Sequence, residues 1–175
     1  MNAASMAVWS SDWAWSVPLI VLTVVIHVLG LGLINEWVMS VLRPALKRRH
    51  LMSIFVAVMG VTVTLVTLLH GIEGTTWAAA YRLLGALPDT RSAMLYSLSA
   101  MTSYGHATLF LEGTWQLMGA LEALNGMLLF GLTTAFLFAM IQQIWLGGSH
   151  NHLVSSRDAS AIPRSAPPCA NDPSE

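Results

Sequence analysis

The stretch Thr90–Thr108, "TRSAMLYSLSAMTSYGHAT", decides how this chain is read. Its first dozen residues have helical composition. They come after Pro88, which breaks a run of helical composition from His70 to Leu87, and Asp89 or Thr90, either of which can cap a helix with its short oxygen side chain. Such a helix rises roughly 18 Å, too little to cross a hydrocarbon core of about 30 Å. The octapeptide that completes the stretch, Met101–Thr108, is polar and carries no Asp, Glu, Lys or Arg. Irregular backbone at membrane depth survives only where protein buries it or water lines it. A short helix plus a polar segment between two spans is the order of a re-entrant loop. The alternative is a surface loop that never enters the membrane.

The flanks are what make depth in a membrane the question. Of 175 residues, 55% are hydrophobic and only 10% charged, the excess that marks a membrane protein. Val17–Ile34 and Leu51–Leu69 carry no charge and are each long enough to span. A third apolar stretch, Trp115–Leu146, is interrupted by Glu122 and Asn125 and holds no charged residue besides Glu122. The first span has no basic start and no small-residue cleavage site, so it reads as a retained helix and not a signal peptide. Arg43, Lys47, Arg48 and Arg49 lie between the first two spans, and Arg157 and Arg164 come after the third. As a topology signal these residues put the amino terminus outside and the tail in the cytoplasm. The basic cluster is therefore not read as a nucleic-acid site. The tryptophans, Trp77 among them, fall near span ends and read as interfacial.

The chain accordingly divides into an extracytoplasmic start (1–16), a first helix with a basic cytoplasmic loop (17–50), a module of two spans around the short helix (51–146), and a polar, disordered cytoplasmic tail (147–175). The single cysteine, Cys169, lies in that tail and allows no disulfide within one chain.

Residues 77–145 resemble the pore module of the potassium-channel superfamily, in particular small bacterial ion-channel proteins with one pore loop per chain. The resembling pieces are WAAAYRLLGAL, AMLYSLSAMTSYGHAT and WQLMGALEALNGMLLFGLTTAFLFAMIQQIW, of which EALNG with the adjoining LLFG and TAFLF is the most specific. The first span and the tail carry no such likeness. Where the family reads Thr-Thr-x-Gly-Tyr-Gly-Asp, this chain can be laid without gaps as Thr102, Ser103, Tyr104, Gly105, His106, Ala107 and Thr108. Tyr96-Ser97 and Trp115 fall at family spacing on either side. A rival register that pairs Tyr104-Gly105 with the family's Tyr-Gly needs a two-residue insertion.

The resemblance implies an all-α membrane protein with three transmembrane helices and a re-entrant pore helix and filter loop between the second and third. It also implies closure of the pore as a homotetramer, with lipid and other copies of the chain as its partners. The filter itself has changed. Such filters replace the ion's water with backbone carbonyls, aimed inward by glycines. Gly105 keeps the first glycine, whereas Ala107 replaces the second, and a methyl at positive φ costs about 1 kcal/mol or more. His106 replaces the packed tyrosine and Thr108 the outer aspartate. The implied function is a cation channel of weak selectivity whose only bound species are permeant monovalent cations. His106 has two readings, a titrating filter residue or a hydrogen-bonding replacement for the tyrosine.

On the last span, Leu124, Leu128, Gly131 and Ala135 recur at helical spacing as the pore-facing stripe. Glu122 lies about 200° away from Leu124 and should face the short helix, hydrogen-bonding the loop's backbone from behind. Asn125 joins it as filter support. Gly126 and Gly131 read as bending points or as small residues that let helices approach. His27, in mid-span, should hydrogen-bond a neighbouring helix, and His70 and Glu73, three apart, should pair on one face. A second reading keeps the fold in a non-conducting or regulatory membrane protein. A third makes His27, His70, Glu73 and His106 the groups of a membrane enzyme or metal transporter. These residues are scattered, with no HExxH, no CxxC and no Ser-His-Asp order, so no catalytic residue and no metal ligand is assigned.

Overall fold

The structure, a computed structural model, describes the backbone of residues 3–45, 51–105, 109–111 and 113–160. Among these residues there are four helices: α1 (Ala3–Ala45), α2 (Leu51–Leu83), α3 (Thr90–Met101) and α4 (Gln116–Ser160). Three of them hold stretches long and apolar enough to cross a membrane, Trp9–Val41, Met52–Leu83 and Gln116–Gln143. The chain is thus an all-helical, multi-pass membrane protein, with no strand among the described residues. It divides into two units, 1–137 and 138–175. The first holds α1, α2, α3 and the start of α4; of the second, the end of α4 is described.

Polarity runs opposite to that of a water-soluble bundle. Val25, Val28, Leu29 and Leu33 of α1 are exposed, while His27, Glu73, Glu122 and Asn125 are fully buried. Lipid tails solvate apolar side chains and offer polar ones nothing, so polar groups turn inward and find each other.

α3 begins and ends where the sequence predicts. Asp89 is the N-cap, accepting from the Ser92 backbone N–H at 2.9 Å and from the Ser92 hydroxyl at 2.7 Å. The accepted hydrogen bonds hold the exposed Asp89 carboxyl below its ordinary pKa. α2, however, ends at Leu83 and does not run on to Leu87. Gly85, at φ +68°, turns the chain left-handed, with Ala86 N–H donating to Tyr81 O and Gly85 N–H to Arg82 O. That is a Schellman close, for which glycine is the favoured residue.

α4 corrects the expectation of a disordered tail from residue 147. Its helix continues to Ser160, and the first proline beyond the span is Pro163. Trp77 is fully buried within the protein. Together with Tyr81, Leu87, Ala93, Leu111 and Met118 it forms the core that seats α3 between α2 and α4.

Candidate functional site

Two buried polar clusters tie the helices together. The first holds α3. Tyr81 OH donates to Glu122 Oε2 at 2.6 Å, and Ser97 Oγ lies 2.5 Å from Glu122 Oε1 and 2.7 Å from Gly74 O. Glu122 therefore faces the short helix as its periodicity predicts. Its observed partners are two hydroxyls, on α2 and α3, and not the backbone of the loop. An apolar residue at 97 or 81 would leave the buried carboxyl with one donor fewer. Gly126 sits against the far end of α3, where a Cβ would collide with the Met101 backbone. It is thus a point of close helix approach. Gly131 meets no such obstacle.

The segment after α3 leaves that helix through a second Schellman close. Tyr104 N–H donates to Ser99 O and Ser103 N–H to Ala100 O, each at 3.0 Å. Ser103 takes the left-handed position at φ +55°, and Gly105 is left-handed too, at φ +72°. Thr102, Ser103, Tyr104 and Gly105 are all exposed, and a cleft of about 350 Å3 opens beside them against Tyr96, Phe110 and Ala123. His106, Ala107 and Thr108 lie outside the described residues. Leu124, Leu128, Gly131 and Ala135 are all exposed along α4. Asn125 points elsewhere, its amide nitrogen donating to Thr23 Oγ1 of α1 at 2.9 Å.

The second cluster joins α1, α2 and α4 at mid-span. His27 Nδ1 meets Glu73 Oε1 at 2.8 Å, and His27 Nε2 meets Thr133 Oγ1 at 3.2 Å. His27 thus bonds neighbouring helices as expected. The predicted His70–Glu73 pair does not form: Glu73 turns to His27, while His70 Nδ1 donates to Val66 O at 2.9 Å. His70 nevertheless stays close, edge-on to His27 with ring centroids 5.1 Å apart and stacked on Phe130 at 4.5 Å. One ligand atom from each of His27, His70 and Glu73 lies within 4.8 Å of the others. Residues scattered in sequence have converged, which short motifs have no means of showing.

A groove of about 960 Å3 runs past Trp15, Leu68, Ile72 and Met94, and its lining carries no titratable side chain. Comparisons with family models, curated proteins and solved structures found no match for this chain.

Proposed function

We propose that four copies of this chain close around a four-fold axis as a cation channel of weak selectivity in a bacterial inner membrane. In that arrangement α3 is the re-entrant pore helix, residues 102–108 form the filter, and α4 lines the pore. The observation that carries the reading is how α3 is held. A helix too short to span is capped at Asp89, anchored at mid-length by Ser97 to Glu122 and Gly74, and pressed at its far end against Gly126. It then releases an exposed polar segment that contains two left-handed residues. The carboxyl end of a helix carries partial negative charge, which favours cations at the point it faces. The exposed stripe of Leu124, Leu128, Gly131 and Ala135 suits a wall completed by other copies. The basic residues between the first two spans put the amino terminus outside.

A second reading, the same fold without conduction, is favoured by Ser103. Its left-handed backbone serves to end α3, which takes one filter position out of an alternating carbonyl ladder. Mass measurement in detergent and lipid, with cation flux into vesicles, tests both. A tetramer that passes cations is expected; a tetramer without flux selects the second reading, and a stable monomer or dimer contradicts the assembly.

A further inference from the structure

We propose that His27, His70 and Glu73 form a binding site for one divalent transition-metal ion of the zinc class, joining α1 to α2 at mid-membrane. The inference is independent of the pore. Two imidazoles and one carboxylate are a donor set that zinc accepts, with a further position open to water. What points to an ion is the state of the atoms each residue has left over.

His70 Nδ1 is engaged by the Val66 carbonyl, which fixes its proton there and leaves the Nε2 lone pair free. That Nε2 is buried and has no hydrogen-bond partner. Glu73 is fully buried, and its Oε2 is likewise unpartnered while Oε1 is held by His27. Groups left unsatisfied at membrane depth are costly, and a bound cation would satisfy both. His27 completes the pattern. With Nδ1 turned to the cluster, its Nε2 faces Thr133 Oγ1, which can accept the ring's remaining proton. Metal-bound histidines characteristically donate their second N–H to an oxygen, and both histidines here have that oxygen in place.

Coordination asks little further movement. Ligands at about 2.0–2.1 Å from a tetrahedral ion stand roughly 3.4 Å apart, so the three donors, now within 4.8 Å, close by little more than an ångström. The proton on His27 Nδ1 must leave that nitrogen before it can bind the ion, and Nε2, facing Thr133 Oγ1, can carry it. Phe130, stacked on His70, holds that ring in plane.

The test uses the full chain in detergent, with His50, His106, His150 and His152 all replaced by alanine so that other imidazoles do not contribute. After stripping with chelator and equilibration with zinc, about one zinc per chain is expected by elemental analysis. Zinc should also raise the melting temperature. His70→Ala, which leaves the His27–Glu73 bond intact, should weaken binding by roughly a hundredfold or more. Thr133→Val should weaken it by about 10–100-fold. Helical circular dichroism and elution volume without zinc establish that each variant is folded, and cobalt absorption of the parent protein reports tetrahedral nitrogen and oxygen ligands directly. Less than stoichiometric zinc in the parent protein overturns the proposal, as does unchanged affinity in His70→Ala, which would mark adventitious surface binding.

Discussion

Ser103 occupies, at φ +55°, the same place at the end of α3 that Gly85 fills at the end of α2. A side chain there strains the backbone by about 1 kcal/mol, so Ser103→Gly should stabilise the folded protein by about that amount. Thermal unfolding should show a higher midpoint, and an unchanged or lower one would mean that the hydroxyl does more than sit in solvent. Glu122 is the opposite case. Glu122→Ala strands the Tyr81 hydroxyl in a buried site, at about 1–3 kcal/mol, and leaves Ser97 only the Gly74 carbonyl. Its melting temperature should fall well below that of Glu122→Gln, which keeps an acceptor oxygen; equal midpoints would remove Glu122 from the account of α3. Helical periodicity makes the direction of Glu122 legible in the sequence, because Leu124 and its partners fix which face is exposed. The His27–Glu73 bond is not legible there. Its partners stand 46 residues apart on different helices, and only packing brings them together.

At the scale of elements, α3 is readable in the sequence because strong local signals bound it. Pro88 breaks the run before it, Asp89 caps its first turn, and the polar octapeptide ends it. Asp89→Ala should lower the melting temperature by removing the acceptor of the Ser92 N–H. The lowered pKa of Asp89 in the folded state sets the pH dependence. A depressed carboxyl contributes stability above its unfolded value, and that contribution is lost as pH falls through the folded one. The difference between wild type and Asp89→Ala should therefore persist at neutral pH and shrink below about pH 4. A difference that grows on acidification would contradict the cap. The end of α2 departs from its sequence reading because Gly85 outweighs the apolar composition that continues past it. The reach of α4 to Ser160 is hidden because its last turns are polar in composition, although no proline interrupts the run. Gly126→Ala would place a methyl against the Met101 backbone, and overpacking of that kind costs about 1–3 kcal/mol.

At the scale of the whole molecule, membrane class and helix number come from composition and span length alone, because a bilayer permits few solutions. Assembly and selectivity do not, since they depend on contacts between copies and on where a few carbonyls point. Residues 102–105 leave α3 through a capping turn, and the sequence beyond them departs from a pattern built for a dehydrated ion. In the proposed pore each lost carbonyl ring would leave part of the ion's hydration unreplaced, so ions should cross at least partly hydrated and with little discrimination. Restoring tyrosine at 106, glycine at 107 and aspartate at 108 together should raise preference for potassium over sodium. The reversal potential of the purified wild-type protein in a planar bilayer, with potassium on one side and sodium on the other, tests this most directly. A cation current that reverses near zero is the predicted result; no current, or a reversal potential set by potassium alone, would contradict it.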